Sequence, residues 1–435
     1  MTDRDQSTGD SRKFDDAVIA FGQPPGAPAA PRLTSSALLA AVNKAGTKHI
    51  YADTADAAEV RALITAGDGI VREVDGNTAN QPLVRKVIAG YLDNGEPATW
   101  ARQLRELQPG LSTAQLRTVL YAIVCGRLGN DAARAFGAGR AWEVSLQLHM
   151  QLGTDAEAAK RVGRYLRRMV PSGVVKVPFT PQHPHCFLVA RDLEREGIPV
   201  NFTSTFSARQ AVAAGMLSNV TLTNIFMGRI NQGLKAALLG EHVDLEAQRA
   251  LVRLRREVGI KTLLIVASVR EWQTFARVAG CDAFTAPCEA IRGFMTQTEI
   301  PANEVRSQLE TSYADRLGIP DDLLRSVGTA RIARLYNVEP ELIQFMTDFR
   351  KSKDYDGMRD GDQLAKRFDQ AGFGDLFYAP SVTEWTVLRK NKLPDFAAPL
   401  TARLALDTHY TLLADADFEK FQEEMDRIID ERLGA

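Results

Sequence analysis

The feature of this sequence that most constrains its fold is an alternation of short β-rich runs with amphipathic stretches. The runs are rich in β-branched or aromatic residues and are bounded by turn formers, which is the pattern of strands. An amphipathic stretch separates most of these runs from the next one; Ala159 to Met169, for example, precedes the fourth run. This order is typical of βαβ units around a parallel sheet. The predicted strands are His49 to Asp53, Gly69 to Val74, Ala141 to Ser145, Val174 to Pro178, Pro199 to Thr203, Val220 to Phe226, Thr262 to Ala267 and Ala283 to Ala286.

The number of strands predicts an α/β fold of the closed (β/α)8 type, a TIM barrel, over residues 36–300. The count argues against an open doubly wound sheet, and no Gly-x-Gly-x-x-Gly loop opens an early helix. After the sixth strand, Leu234 to Leu239 and Leu245 to Val258 are predicted as helices.

Both ends of the chain depart from this pattern. Residues 1–35 are predicted to be a disordered tail, because Gly22 to Pro31 is too rich in proline and glycine for a helix or a ladder. Residues 301–435 are predicted to form a helical extension that packs on the barrel and ends in a C-terminal helix. Its predicted helices are Asn303 to Leu317, Asp321 to Tyr336, Pro340 to Arg350, Gln363 to Ala371 and Asp417 to Leu433.

The charge balance argues against several classes of partner. The chain has 53 basic and 54 acidic residues and a formal net charge of −1. No global basic field attracts nucleic acid or anionic lipid, so any phosphate recognition must be local. The apolar runs are too short and too often broken by charges for a membrane span, and no apolar signal core follows the charged N-terminus. We therefore expect no nucleic-acid or membrane partner, a cytoplasmic protein, and either a monomer or a homodimer.

One cluster of potential metal ligands stands out, His183-Pro184-His185-Cys186. Two histidines that flank a proline do not converge easily on one ion. We expect this segment to shape a polar pocket, and we expect neither a metal nor a cofactor.

Lys176 is a single amine within the β-branched run Val174-Val175-Lys176-Val177-Pro178. A lysine on a buried strand is costly unless its charge is paired or lost. Burial lowers the pKa of an ammonium, and the neutral amine is a nucleophile that can attack a ketone. A salt-bridged structural lysine is the alternative, and the neighbouring strand ends decide between the two.

Polar side chains end those neighbouring strands, at the edge of a barrel where catalytic residues belong. They supply one amine, two carboxylates, several amides and two arginines around one mouth. The set is Asp53, Asn80 just past the second strand, Glu143, Lys176, Asn201 with Thr203, Asn224 with Phe226, Arg229, and Ser268 with Arg270.

Each residue type has a use in the cleavage of a ketose. An imine between the amine and a ketone withdraws electrons from the adjacent carbon–carbon bond. One carboxylate can take a hydroxyl proton as that bond breaks, and the other can pass protons through water. Two arginines and a serine can bind a phosphate. Each residue also has a structural interpretation when it is taken singly. Asp53 could begin a helix, Glu143 could pair with Arg140 or a partner lysine, and Arg229 and Arg270 could be rim charges. Their joint placement favours the catalytic interpretation.

The motifs around these residues resemble those of the transaldolase family of class I, Schiff-base enzymes. The resemblance covers residues 45–295 in one order. The similar segments are Ala52-Asp53-Thr54 of the first strand, Asp75-Gly76-Asn77-Thr78-Ala79-Asn80-Gln81-Pro82-Leu83, Glu143-Val144-Ser145, Val175-Lys176-Val177-Pro178, Gly197 to Gln210, Phe226-Met227-Gly228-Arg229-Ile230 and Ala267-Ser268-Val269-Arg270.

The resemblance implies a role for each of these positions. Lys176 would form the Schiff base, Asp53 would be the base for cleavage, and Glu143 would relay protons through water. A dihydroxyacetone fragment and the phosphate of a sugar would be held by the remaining residues. These are Asn80, Thr78, Asn201, Thr203, Asn224 and Phe226 for the sugar and Arg229, Ser268 and Arg270 for the phosphate.

The sequence also departs from the family pattern near the three-carbon fragment. Ala79 replaces the usual second threonine, and Gln81 replaces the usual proline. Asn224 and Ile225 stand where the family usually has serine and proline. The donor sugar is therefore less constrained than the chemistry.

Three functions follow as hypotheses. The leading one is transfer of a dihydroxyacetone unit from a ketose phosphate, such as fructose 6-phosphate or sedoheptulose 7-phosphate, to an aldose phosphate. The second is an aldolase that releases dihydroxyacetone; Phe226 argues against it, because family members with that activity have tyrosine there. The third is a non-catalytic sugar-phosphate-binding barrel, which would have no need of a costly buried amine.

Overall fold

The computed structural model describes residues 3–23, 32–66, 69–136 and 142–433. Its strands are short, and most of them carry β-branched residues. They are β1 (Leu33–Thr34), β2 (His49–Asp53), β3 (Thr65–Ala66), β4 (Gly69–Val71), β5 (Gly76–Thr78), β6 (Glu143–Gln147), β7 (Gly173–Pro178), β8 (Val200–Thr205), β9 (Leu222–Phe226), β10 (Leu263–Ala267) and β11 (Ala283–Ala286).

A closed barrel forms in the order β2-β5-β6-β7-β8-β9-β10-β11, and β11 pairs with β2. All of its strand pairs are parallel. The prediction of a (β/α)8 TIM barrel is confirmed. Side chains alternate between the two faces of a strand, so every second residue points into the barrel. One layer of the interior is a cluster of buried apolar residues, Tyr51, Val174, Leu222, Ile265 and Ala283.

Helices cover the outside of the barrel. A typical one, residues 156–169, is capped by Asp155, whose carboxylate accepts a hydrogen bond from the backbone N–H of Ala158. This helix buries Val162 and Leu166. Up to residue 296 the helices are α1 (Asp3–Gly22), α2 (Ala37–Lys44), α3 (Ala57–Ile64), α4 (Gln81–Leu92), α5 (Glu96–Leu107), α6 (Thr113–Phe136), α7 (Ala156–Met169), α8 (Cys186–Arg195), α9 (Ala208–Ala213), α10 (Met227–Leu234), α11 (Leu239–Glu257), α12 (Thr274–Arg277) and α13 (Cys288–Thr296).

The predicted second strand, Gly69 to Val74, is not a barrel strand. Its first three residues, β4, pair with β1 and β3 in a separate small sheet. The barrel uses the polar segment β5 instead, where a side chain at Gly76 would overlap the carbonyl oxygen of Glu143. Gly-Ile-Val has a higher β-propensity than Gly-Asn-Thr, so the local sequence predicts β4 and not β5 as the barrel strand.

The predicted disordered tail is wrong for residues 3–22, which form α1. Phe14 and Val18 are buried, and Phe21 stacks on Trp100 of α5 at 5.9 Å between ring centroids. Their spacing of three and four residues places them on one face of a helix, which packs against α5, α6 and α7. The proline-rich segment 24–31 lies outside the described residues.

The extension is helical but more broken than predicted. In place of a helix over Asn303 to Leu317 there are short 3₁₀ turns, Ala302–Glu304 and Ala314–Arg316. Backbone groups there bond to the barrel, as Gln308 N does to Ala279 O at 2.8 Å. The predicted helix Asp321 to Tyr336 breaks at Gly328, whose φ of 88° is left-handed. The helices are α14 (Asp321–Val327), α15 (Thr329–Ala333), α16 (Pro340–Arg350), α17 (Lys353–Gly357), α18 (Gly361–Gln370), α19 (Val382–Leu388), α20 (Pro399–Arg403) and α21 (Leu406–Leu433).

The last helix, α21, crosses the carboxyl ends of the barrel strands. Near its start, the hydroxyl of Thr411 donates to the carbonyl of Ser204 in β8 at 3.1 Å. Near its end, Asp426 bonds to the ring of His149, just past β6, at 2.9 Å. The prediction for this helix began at Asp417, eleven residues too late. Within the described residues no helix is long and apolar enough to cross a membrane.

Candidate active site

A cavity of about 140 Å³ lies at the carboxyl ends of the barrel strands. Its walls come from residues that lie just beyond the apolar layer of the interior, because the next inward residue on each strand is two positions later. All but two of the predicted site residues line it. The predicted residues in the wall are Asp53, Thr78, Asn80, Lys176, Asn201, Asn224, Phe226, Arg229, Ser268 and Arg270.

Lys176 lies in this cavity and has no carboxylate within ion-pair distance among the residues that the structure describes. It is 3% exposed, and its Nζ donates to the carbonyl oxygen of Ala79 at 2.9 Å. Burial lowers the pKa of Lys176 to about 8, although the charge of Asp53 acts in the opposite direction. A large fraction of this amine is therefore neutral near pH 8 and able to act as a nucleophile.

Asp53 ends β2 and lines the same cavity. The hydroxyl of Thr78 donates to its Oδ1 at 2.9 Å. Burial raises the pKa of Asp53, and the charge of Lys176 and the bond from Thr78 only partly offset this effect. The raised pKa makes the carboxylate a stronger base, which can take up a proton and return it during a reaction.

A chain of amides and hydroxyls lines the side of the cavity beyond Lys176. Asn224 donates from its amide to Asn201 Oδ1 at 2.9 Å, and Asn201 donates to the hydroxyl of Ser145 at 3.1 Å. The hydroxyl of Thr203, which does not line the cavity, donates to Asn224 Oδ1 at 3.2 Å. Asn80 is the N-cap residue of α4, and its Oδ1 accepts a hydrogen bond from the backbone N–H of Leu83. These bonds fix the orientation of the amides, which can then bond to hydroxyl groups of a ligand.

Arg229 and Arg270 lie at one end of the cavity. They come close because the start of α10 packs on the loop after β10; a side chain at Gly228 would overlap the carbonyl oxygen of Ser268. Ser268 itself has a φ of 61°, which is uncommon for a residue with a side chain. Burial lowers the pKa of Arg270, and repulsion from Arg229 acts in the same direction. Two cations held together in this way favour binding of an anion.

Two residues of α21 at this end of the cavity were not predicted from the sequence. The carboxylate of Asp417 accepts a bond from Arg229 Nη2 at 2.9 Å. The ring of Phe418 lines the cavity and packs on Phe226 at 6.2 Å and on the guanidinium of Arg229 at 5.4 Å. The available signal was the segment Leu412-Leu413-Ala414-Asp415-Ala416-Asp417-Phe418, where two carboxylates interrupt an apolar run.

Glu143 does not lie at the mouth, so its predicted placement is wrong. It is the first residue of β6, at the opposite end of the strand, and accepts a bond from the hydroxyl of Tyr51 at 2.6 Å. The residue of β6 level with Lys176 is Gln147, which is buried. Its Oε1 makes no hydrogen bond within the described part of the chain. The alternation of Val144-Ser145-Leu146-Gln147-Leu148 was the signal for a strand that continues this far.

A larger cleft of about 1070 Å³ opens on the other side of the two arginines. Arg229 and Arg270 line both the cleft and the inner cavity, whereas Asp417 lines only the cleft. Lys235 and Lys392 contribute further positive charges, and Glu241 and Glu271 contribute negative ones. We refer to this space as the outer cleft and to the 140 Å³ space as the inner cavity.

The described residues contain no group of three or more His, Cys, Asp or Glu side chains arranged to hold a metal ion. The chemistry that the arrangement can support is that of a buried amine, one carboxyl group, several amides and an anion site.

Comparisons with known proteins match this chain to one family. The family model of transaldolase/fructose-6-phosphate aldolase matches residues 50–325. A protein named probable transaldolase from Rhodospirillum centenum is 28% identical over 224 residues, which are 51% of this chain and 71% of that protein. Another from Sorangium cellulosum is 32% identical over 172 residues, 39% of this chain and 72% of that protein. A transaldolase from Acidobacterium capsulatum is 27% identical over 263 residues, 58% and 74% of the two chains. The family match includes all the predicted site residues and ends before Asp417 and Phe418.

Proposed function

The chain belongs to the transaldolase/fructose-6-phosphate aldolase family, and from this premise we propose that it transfers a dihydroxyacetone unit between phosphorylated sugars through an imine on Lys176. The observation that carries the proposal is the amine itself. Lys176 is buried in the inner cavity with its pKa lowered to about 8 and has no ion-pair partner among the described residues. A residue that only binds a sugar would gain nothing from this costly arrangement.

The first step is the attack of neutral Lys176 Nζ on the ketone carbon of the donor sugar. Loss of water from the adduct gives a protonated imine. The imine nitrogen then accepts the electron pair of the adjacent carbon–carbon bond when that bond breaks.

Asp53 takes the proton of the hydroxyl group on the carbon that leaves as an aldehyde. The products of the cleavage are the aldose and an enamine on Lys176. The enamine attacks the aldehyde of a second aldose and forms a new imine. Water adds to this imine, and cleavage of the bond to Lys176 Nζ then releases the new ketose and the free amine. Among the described residues Asp53 is the carboxyl group that lines the inner cavity, so we assign to it the proton transfers expected of Glu143 as well.

The remaining residues bind the two ends of the donor. We assign Asn80, Asn201 and Asn224 to the hydroxyl groups of the three-carbon fragment, because their amides line the cavity around Lys176. Thr78 and Thr203 act through Asp53 and Asn224, to which their hydroxyls are bonded. Arg229, Ser268 and Arg270 bind the anionic end of the sugar.

Phe226 favours transfer over release of dihydroxyacetone. Its ring lines the inner cavity and packs on Phe418. A phenyl ring cannot orient water or give a proton to the enamine, whereas a tyrosine hydroxyl could. The enamine therefore persists until an aldose arrives.

The test is reduction with borohydride in the presence of fructose 6-phosphate, followed by mass spectrometry of the peptides. We expect a reduced three-carbon or sugar adduct on Lys176 in the wild type and none in Lys176→Met. The matched control is Lys160→Met, because Lys160 is also buried but is paired with Glu157 and Asp192 outside the cavity. The Lys160→Met variant should form the adduct normally. An adduct on any other lysine, or none in the wild type, would refute the mechanism.

A further inference from the structure

Arg229 is already engaged by a carboxylate of its own chain. Its Nη2 lies 2.9 Å from Asp417 Oδ2, and the side chains of Arg229 and Asp417 are 16% and 4% exposed. The other terminal nitrogen, Nη1, is buried and makes no hydrogen bond to any described residue. Arg229 also lines the inner cavity, so a substrate there meets a guanidinium whose charge is largely compensated by Asp417.

The net charge at the arginine end of the inner cavity follows from three side chains. Two guanidinium groups, Arg229 and Arg270, and one carboxylate, Asp417, leave one positive charge. Lys392 lies 3.7 Å from Asp417 Oδ1, but its side chain is 69% exposed and its charge is screened by solvent. A buried site with a single net charge matches a monoanion better than a dianion, because each unpaired buried charge is costly.

The positions of the two spaces point to the same kind of ligand. Lys176, Arg229 and Arg270 all line the inner cavity of about 140 Å³, so a donor held at Lys176 reaches the two arginines with its distal end. The same arginines line the outer cleft of about 1070 Å³. A group attached beyond the anion would find space there.

We propose that Asp417 is a specificity-determining residue, which makes the site select a ketose whose distal group is a monoanion, such as a phosphodiester, over a phosphate monoester. The substituent of the diester lies in the outer cleft. This inference rests on the proposed function, since it concerns the distal end of the same donor sugar. The inference restricts the donor to ketoses with a monoanionic distal group, whereas the chemistry at Lys176 does not limit the distal group of the donor.

The experiment compares two donors with one sugar, fructose 6-phosphate and its methyl phosphodiester, at pH 8. The monoester then carries close to two negative charges, because its second pKa is about 6, and the diester carries one. We expect the wild type to have the higher kcat/KM for the diester. In Asp417→Asn the ratio of diester to monoester kcat/KM should fall by about tenfold, the effect of one charge-assisted contact worth about 1.4 kcal/mol.

The matched control is Asp415→Asn. Asp415 is buried two residues earlier in α21 and lines a separate cavity with Thr180 and His183. This variant should leave the ratio of the two donors unchanged. If Asp417→Asn instead raises KM for both donors equally, Asp417 only positions Arg229 and the inference is wrong; an unchanged ratio also overturns it.

A second pair of donors tests the outer cleft. The wild type should have the same kcat/KM for the phenyl phosphodiester as for the methyl phosphodiester. Gln232→Trp should lower kcat/KM only for the phenyl compound, because Gln232 is an exposed residue that lines the cleft. Rejection of the phenyl compound by the wild type would overturn this placement. The failure of the proposed function is a different result, since no donor would then be trapped on Lys176 in any variant.

Discussion

Lys176 and Asp53 lie in one cavity, and burial moves their pKa values toward each other. The pKa of the amine falls to about 8 and that of the carboxyl group rises. Each group opposes the shift of the other through its charge. Titratable groups whose pKa values are displaced by burial and by a charged neighbour in one cavity are typical of functional sites.

The buried amine should reduce stability at neutral pH. The folded pKa of Lys176, about 8, is below the ordinary value of 10.5, so the unfolded chain binds the proton more tightly. The penalty is full below pH 8 and disappears as the pH rises through 10.5. Lys176→Met should raise the free energy of unfolding by about 3 kcal/mol at pH 7, and the gain should shrink by pH 10. Urea unfolding of the wild type and the variant at pH 7 and pH 10 measures this difference in the free energy of unfolding. A difference that does not change with pH would contradict a lowered pKa for Lys176.

Replacement of Asp53 should slow cleavage without preventing imine formation. Asp53→Asn removes the base but keeps the bond to Thr78, so turnover should fall by roughly 10²–10⁴-fold while the adduct on Lys176 accumulates. Steady-state rates and borohydride trapping measure the two effects. The control is Asp56→Asn, since Asp56 only caps α3 by accepting the N–H of Ala58 at 2.7 Å. Near-normal turnover of Asp53→Asn would mean that Asp53 is also only structural.

The error at Glu143 has a simple cause. Glu143, Ser145 and Gln147 occupy the same face of β6, because side chains of a strand repeat every two residues. The alternation of side chains therefore identifies which residues face the inside of the barrel, but not their height along the barrel axis. The level is set by the register with β7, where Gln147 pairs with Lys176, and register is a tertiary property.

Among the elements, α21 supplies residues to both sides of the mouth. Phe418 lines the inner cavity and Asp417 lines the outer cleft. The start of the helix is held by a buried ion pair, in which Asp407 accepts two bonds from Arg209 of α9, at 2.7 and 2.8 Å. Within the described residues, the segment 301–399 contributes Lys392 and Leu393 to the outer cleft but nothing to the wall of the inner cavity.

Loss of this ion pair should be strongly destabilising. Burial alone would raise the pKa of Asp407, but the charge and hydrogen bonds of Arg209 outweigh it and lower the pKa. The stabilisation is therefore present above the ordinary pKa of 3.8 and is lost as the pH falls through the lower folded value. Asp407→Asn removes the closer of the two charge partners of a guanidinium that is 0% exposed and leaves only the longer contact to Asp375, at 3.1 Å, so it should cost about 3 kcal/mol.

The matched control for that variant is Asp430→Asn on the same helix. Asp430 also pairs with an arginine, Arg117, but both side chains are partly exposed at 23% and 26%. Its loss should cost only about 1 kcal/mol. Thermal or urea unfolding of both variants at pH 7 measures the difference, and equal effects would show that burial of the Arg209 pair does not matter.

Elements with a strong hydrophobic period were predictable, and those fixed by contacts were not. Pro340–Arg350 was predicted with its observed bounds. The polar strand β5 has no apolar period, and its place in the barrel depends on pairing with β2 and β6. Residues 303–317 do not form the predicted helix, because their backbone groups form hydrogen bonds to the barrel.

At the scale of the whole molecule, one continuous cluster of buried residues joins the parts of the chain. It includes Phe14 of α1, Phe202 of the barrel, Leu364 of the extension and Phe418 of α21. The extension is also bonded to the barrel by Arg191, whose guanidinium donates to the carbonyls of Tyr355 and Met358 at 2.6 and 2.8 Å. We propose that residues 36–300 and 301–435 fold as one cooperative unit.

Calorimetry should therefore show one unfolding transition. Exposure of a shared core in one step makes unfolding cooperative, whereas an appended module melts separately. Arg191→Met should lower the temperature of the single transition without splitting it. A separate transition for the extension in the wild type would contradict the proposal.

The sequence by itself determined the barrel, the lysine strand and most of the residues of the inner cavity. These follow from hydrophobic periods and from motifs that are contiguous in the chain, both of which are local. The tertiary structure alone decided that Gln147 rather than Glu143 stands beside Lys176, and that Asp417 and Phe418 reach the site. The physical reason is that strand register and the docking of a distant helix depend on the packing of the whole core, so no local pattern encodes them.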